Sequence, residues 1–427
     1  MNLDIRTATT TFSANYKWWV VLMVWFVCFF NYADRQTASS VLPLLSKNFG
    51  FNDFQLGIIG SAFAWMYAAV APFAGMSADH VSRKRLIITA CVIWSFFTLA
   101  TAWCGNFSSF VAVRALTGLA ETFYFPAVMA LISDFHAPAT RSRAMSLHQS
   151  AVYAGTILGS WIAAALAEKC GWNFPFLLFG PAGILLAIII SLFLREPPRG
   201  GVQDLAVKPS ASIGETLGII FRAPAAIFLM AAFLCANFVA FIFLTWTPAF
   251  LYDKFHYSIG AAGLTGAVFI NLASALSVSA AGLLADKWSR RFSSGRMFVQ
   301  FLGLLAGSIF VFFVGKTSSI GILIIAMTCF GICKGFYDSG IFASLYDTIE
   351  SRARGTAAGI MNTVGWGGGA LGPIFVGYIS KYKCQGTQVE NMSDAIAFGG
   401  IIYLAAAIFI VFAMLCFVRQ HPRTEPI

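Results

Sequence analysis

The chain has 427 residues, of which 58% are hydrophobic, 15% aromatic and only 11% charged, with a formal net charge of +10. That is too apolar for a soluble protein of this size, and the placement of the cations argues against nucleic-acid binding. With no nucleophile–base set, metal-ligand motif, nucleotide loop or large soluble segment in view, an embedded enzyme or a sensor finds no support either.

A membrane span needs roughly 20 predominantly apolar residues. Twelve such stretches follow one another, at about 18–45, 54–78, 86–103, 107–133, 144–167 and 174–194, then 224–250, 259–285, 297–315, 319–346, 355–380 and 396–418. Between the sixth and seventh lies a polar, breaker-rich segment containing Glu196-Pro197-Pro198-Arg199-Gly200-Gly201 and Lys208-Pro209. Domains are therefore expected at 1–194 and 224–427, joined by a linker over 195–223. The first apolar run is long and is followed by more of the same, which does not fit a cleaved signal peptide. With both termini cytoplasmic, 19 of the 28 Lys and Arg fall in cytoplasmic segments. The positive-inside rule thus accounts for the basic balance and sets the expected orientation. Nine cysteines show no disulfide framework, although Cys170 and Cys384 are both expected outside, where a bridge between them is open.

Charges inside a span are costly and usually face a bundle interior or a water-filled path. Span one holds Asp34 and Arg35 within Asn31-Tyr32-Ala33-Asp34-Arg35. Span four holds Arg114 and Glu121, seven apart and so on one helical face, about 10 Å along the axis. Arginine keeps its charge and presents a planar fork to a carboxylate, while desolvated acids beside it can switch protonation. The set suits proton-coupled binding of an organic anion; the plainer use is a structural tie between spans one and four. Span ten holds Lys334 and Asp338, four apart on one face, either a self-neutralising pair or an extra anion contact. Tyr32, Tyr67, Gln149, Tyr153 and Asn362 are candidate hydrogen-bonding or stacking residues, each equally suited to helix packing. His148 is a further proton-relay candidate. Gly365-Trp366-Gly367-Gly368-Gly369 in span eleven suggests close backbone approach or a bend.

Two segments repeat. The Gly75–Arg85 loop after span two, GMSADHVSRKR, is echoed 207 residues later by Gly282–Arg291 after span eight, GLLADKWSRR. Arg141-Ser142-Arg143 returns 211 residues on as Arg352-Ala353-Arg354. Two echoes at nearly one offset indicate a duplicated six-helix unit with a path between the halves. Asp79, Arg83 and Arg85, with Asp286, Arg290 and Arg291, are expected to form latches present in only one of two states. Topology alone explains the cations, but neither topology nor solubility asks for an acid at both places.

The twice-present Gly-x-x-x-Asp-x-x-x-Arg loop resembles the signature of the major facilitator superfamily, and Arg114-Ala115-Leu116-Thr117-Gly118 resembles its Arg-x-x-x-Gly motif. Gly155 and Gly159 partly resemble its fifth-helix motif, while Ser160 departs from the usual Gly-Pro ending, which implies symport or uniport rather than antiport. Asn31-Tyr32-x-Asp34-Arg35, followed by Arg114-x-x-x-Gly118-x-x-Glu121 and Phe125-Pro126-Ala127, resembles the anion:cation symporter group, with Thr122 standing where many members have Gly. That resemblance implies Arg35 and Arg114 as holders of a sugar acid or other carboxylate, and Asp34 and Glu121 as proton carriers. Spinster-like carriers of lysolipids share a similar Asp-Arg and Glu arrangement and stand as the second reading. The expected protein is all-α, with twelve transmembrane helices in two pseudo-symmetric six-helix bundles. It is a monomer in a bacterial inner membrane, with a small organic anion and protons as partners and no cofactor, metal or nucleic acid.

Overall fold

The computed structural model describes residues 15–136, 138–196, 213–350, 353–383 and 386–420. The described residues form helices and connecting turns with no strand. In the first half these are α1 (Tyr16–Ser40), α2 (Leu42–Phe49), α3 (Asp53–His80), α4 (Arg83–Thr101), α5 (Phe107–Thr122), α6 (Tyr124–Phe135), α7 (Pro138–Cys170) and α8 (Phe174–Phe193). After α9 (Ile213–Arg222) come α10 (Pro224–Phe255), α11 (Ile259–Ser289), α12 (Gly295–Lys316), α13 (Ile320–Asp338), α14 (Ile341–Thr348), α15 (Arg354–Tyr382) and α16 (Gln388–Gln420).

Local chemistry sets many of the boundaries. Asn52 and Gln55 form a reciprocal capping box at the start of α3, and Asn106 and Ser109 do the same for α5. Such caps satisfy backbone N–H groups that the first helical turn leaves unpaired. Span four is broken at Phe123 because Pro126 has no N–H to offer the carbonyl of Thr122. Span ten is likewise interrupted at Ser339 and Gly340.

Among the described residues, eleven helical segments are long and apolar enough to cross a bilayer. The exception among the expected twelve is α15, which has the length, at 29 residues, but too many glycines for a high hydropathy. Its glycines serve packing instead: a Cβ on Gly365, Gly368 or Gly369 would run into Phe233, Leu234 or Phe241 of α10. The run expected to give close approach or a bend gives close approach, and the helix continues unbroken to Tyr382. Within the segment expected to be a polar, breaker-rich linker, α9 forms a short helix with Ile220 buried. Large apolar side chains such as Phe73, Trp103, Leu192, Leu276 and Leu283 stand exposed around the bundle, where lipid takes the place of water.

The two halves meet through α3 against α15, α7 against α11 and α1 against α10. Hydrogen bonds join them at the end away from the chain termini, hereafter the distal end. Gly260 N–H donates to Glu168 at 2.7 Å, Ser160 Oγ donates to the Gly263 carbonyl at 3.0 Å, and Ser380 Oγ donates to Asp53. Ser160, the departure from the fifth-helix motif, is thus part of this seam. The backbones touch closely there, since a Cβ on Gly57 would lie 2.5 Å from the Pro373 carbonyl oxygen.

Candidate functional site

Between the halves lies a cavity of about 280 Å³. Its wall includes Tyr32, Arg35, Arg114, Gln149 and Tyr153 from the first half, and Asn237, Asn271, Lys334, Asp338 and Trp366 from the second. Six of the eight residues expected to contact substrate therefore share one space: Tyr32, Arg35, Arg114, Gln149, Tyr153 and Lys334. Tyr67 lies just behind the wall, stacked on Trp366 with ring centroids 4.0 Å apart. Asn362 is half-buried on α15 and does not line the cavity.

Arg35 is the hub. Its Nε donates to Glu121 Oε2 at 2.5 Å, and its guanidinium carbon lies over four rings: Tyr32 at 4.5 Å, Phe63 at 5.0 Å, Tyr67 at 5.3 Å and Trp366 at 5.4 Å. Contacts of this kind contribute about 0.5–2 kcal/mol each, most where water is excluded. Trp366 comes from the second half, so the cage spans the seam. Glu121 is fully buried, and its second oxygen has no hydrogen-bond partner. Asn31 is fully buried too, with neither amide atom bonded.

Asp34 takes a different partner from its neighbour. Adjacent residues on a helix point about 100° apart, so with Arg35 turned to the cavity Asp34 faces α4, where it accepts a hydrogen bond from Thr98. Among the described ion pairs Asp34 has none, and the expected contact to an arginine gives way to a hydroxyl. Arg114, seven residues before Glu121, reaches the wall with its Nε buried and unpaired and its guanidinium 5.2 Å from the Phe63 ring. Gly118 between them allows this, because its helix lies directly on the Phe63 backbone of α3.

The second half repeats that contact. Gly331 lies on the Ile270 backbone of α11, and the two glycines are 213 positions apart. Three residues beyond Gly118 is Glu121; three beyond Gly331 is Lys334. Lys334 thus occupies the place related by the repeat to Glu121, with opposite charge. It donates to Asp338 one turn on, and both side chains are partly exposed to the cavity. An i, i+4 pair with that exposure contributes only about 0.3–0.5 kcal/mol.

His148 is buried, its Nε2 lying 3.1 Å from the Tyr124 hydroxyl, whose own proton goes to the Val24 carbonyl; it packs inside the first half, away from the cavity wall. At the termini end Arg83 pairs with Asp134 of α6, and Glu196 accepts from the backbone N–H groups of Arg83 and Lys84 at 2.9 Å. In the second half Arg296 bridges Asp286 at 3.1 Å and Asp347 at 2.7 Å. Arg85, Arg290 and Arg291 are exposed. The Asp79 side chain lies outside the described residues, as does Cys384, whose bridge to the exposed Cys170 was left open by the sequence. Sequence reasoning passed over Asp134 and Asp347, although they too stand 213 positions apart. It also passed over Thr98, and it read Trp366 only as part of a glycine run.

The fold and a central charged cavity between pseudo-repeats define a secondary transporter. The Major Facilitator Superfamily model matches residues 24–373, and the chain belongs to that family. It is a multi-pass membrane transporter rather than an enzyme. It is 24% identical over 416 residues to the hexuronate transporter of Bacillus subtilis (strain 168), covering 94% of both chains. It is 28% identical to the probable galactarate/D-glucarate transporter GudP of Escherichia coli (strain K12), covering 86% of this chain and 87% of that one. Among solved structures, a bacterial homologue of the human lysosomal transporter Spinster, in an inward-facing and unoccupied conformation, superimposes with a TM-score of 0.84. At 20% identity, over 97% of this chain and 100% of that one, the likeness is one of fold.

Proposed function

We propose that the protein is a proton-coupled symporter of a small organic anion, a sugar acid or another carboxylate, working by alternating access. The observation that carries this is the charge on the cavity wall: Arg35, Arg114 and Lys334 line it, against Asp338 alone among the acids. Two buried acids stand just behind the wall, Glu121 on Arg35 and Asp34 on Thr98. A substrate carboxylate that takes the Arg35 guanidinium must displace Glu121. A carboxylate left there without its counter-charge is costly, so Glu121 leaves Arg35 as the neutral acid and the anion enters with a proton. Release reverses the exchange. Asp34 is the second proton site, and the relatives named for sugar acids support the substrate class. With the termini cytoplasmic, as the distribution of Lys and Arg favours, and the chain in a bacterial inner membrane, the sealed distal end makes this the conformation closed to the outside. A Spinster-like lipid carrier, the second reading, shares the Asp34-Arg35 and Glu121 arrangement, so it is the further cation Lys334 on the opposite wall that favours the small anion.

The test is uptake by the purified protein in proteoliposomes, screened over a panel of carboxylates with and without an acidic outer pH. Wild type should accumulate an anion only with the gradient, and Glu121→Gln should lose accumulation while still exchanging labelled for unlabelled substrate. Arg114→Gln should weaken binding by about 2–5 kcal/mol, the range for truncating one partner of a buried charge contact. Accumulation by Glu121→Gln and Asp34→Asn equal to wild type would remove the coupling assignment.

A further inference from the structure

The wall carries two more positive groups than negative ones, and the excess is divided between the halves. Arg114, on the first half, has a buried Nε with no partner, and Arg35 stands beside it in its aromatic cage. Lys334, on the second half, is held only by the acid one turn along its own helix. The repeat relation fixes its depth: it stands where the first half has Glu121, the acid that serves Arg35. Two charges on α13 facing a cavity in the membrane interior are costly to keep, while a partly exposed pair of this spacing returns little stability. A structural tie does not explain it, since Lys334 and Asp338 sit on one helix and join nothing. Tyr153 of α7 faces the pair from the other half and lies within electrostatic range of both charges.

From this placement we infer that the cavity is built for a two-headed acid, a dicarboxylate, and that Lys334 is the receptor for its second carboxylate. The inference rests on the anion-carrier reading and deepens it. One carboxylate binds Arg114 and Arg35; the other takes Lys334 from Asp338. Asp338 is then a stand-in for the ligand, keeping the lysine neutralised while the site is empty. A monoacid fills only the first pole and leaves the Lys334–Asp338 pair closed. Because the poles belong to different halves, a diacid also ties the halves together, which a monoacid cannot do. An ω-amino acid would need a free carboxylate opposite the arginines, and the one acid among the described residues of the wall already has a cation.

The test is equilibrium binding to the full-length protein in nanodiscs, using ligands matched in length: hexanoate, adipate and 6-aminohexanoate, and the hydroxylated pair D-gluconate and D-glucarate. In at least one series the diacid should bind tenfold or more tightly than its monoacid. Lys334→Gln should erase that preference, lowering diacid affinity tenfold or more relative to monoacid affinity. The double variant Lys334→Gln/Asp338→Asn, which leaves no uncompensated charge, should do the same. Asp338→Asn should tighten diacid binding severalfold by removing the competitor, an outcome a merely structural pair would not give. Equal binding of mono- and diacids, a stronger hold on 6-aminohexanoate than on adipate, or equal losses for both ligand types in Lys334→Gln would overturn the inference while leaving anion transport intact. Binding by no member of either series would count against the anion-carrier reading itself.

Discussion

Gly57→Ala should push the protein out of the conformation described here. Gly57 in α3 belongs to the first half and Pro373 in α15 to the second, and an added Cβ would stand 2.5 Å from the Pro373 carbonyl oxygen, a backbone atom that cannot swing aside. Overpacking of this kind costs about 1–3 kcal/mol. Alanine also gains about 1 kcal/mol over glycine inside a helix, but it gains that in every conformation, so it cancels from the comparison between states. The clash is felt only while the distal seam is shut. The equilibrium should therefore move toward the distally open state by about 5–150-fold. Spin labels at Lys47→Cys and Ser318→Cys, exposed positions on the two halves at the distal end, would report this by pulsed dipolar spectroscopy in a background without native cysteines. A new population at longer separation is expected. Gly118→Ala supplies the control, because its Cβ would strike the Phe63 backbone within one half. It should lower thermal stability without moving the distance distribution. An unchanged distribution in Gly57→Ala, or the same shift in Gly118→Ala, would refute the reasoning.

Further outcomes follow from the same contacts. Ser380→Ala leaves the buried Asp53 carboxylate without its cross-seam donor; stranding such a group costs about 1–3 kcal/mol, and the same labels should register opening, whereas Ser95→Ala inside the first half should not. Trp366→Ala removes both the Tyr67 stack and a ring over Arg35 and should reduce stability by about 2 kcal/mol, with Trp366→Phe recovering much of it in a thermal-unfolding assay. Arg296→Ala frees Asp286 and Asp347 together, yet all three side chains are substantially exposed, so the loss should be within about 1 kcal/mol and should shrink further at high salt.

The architecture was legible because its determinants are local. Apolar run length gave the spans, and the 207- and 211-residue echoes gave the duplication. Span eleven was visible as a run although α15 is poor in hydropathy, because its glycines are paid for in packing against α10, a term composition does not see. The short helix α9 was hidden by the breakers before it. In the site, spacing along one helix was informative: Arg114 with Glu121, and Lys334 with Asp338. Contacts between helices were not. Which of Asp34 and Glu121 holds Arg35 depends on how α1 is rotated against α5, and the sequence left several pairings open. Thr98 could not be picked from many threonines without α4 in place. Whether Tyr67 and Asn362 touch the cavity turns on helix phase, which a 3.6-residue period leaves free until neighbours are known. Asp134 and Asp347 were within reach, since both close their spans at the repeat offset.

The cage around Arg35 also gives the proposed binding event a physical route to the seam. Trp366 lies over Arg35 and against Tyr67 and Phe63 of α3. Seven residues further along the same helix, two turns on, Pro373 meets Gly57 of that same α3. The α3–α15 contact therefore has one end at the binding cavity and the other at the distal seal, and α15 continues unbroken between them. On the proposed reading, an anion that draws Arg35 toward itself should loosen the aromatic end of this contact. A closure that tightens around the ligand must reseat Trp366, and the rigid helix carries that displacement toward Pro373. The coupling needs no separate relay, because the rings that hold the guanidinium and the glycine that admits the proline lie on one pair of helices.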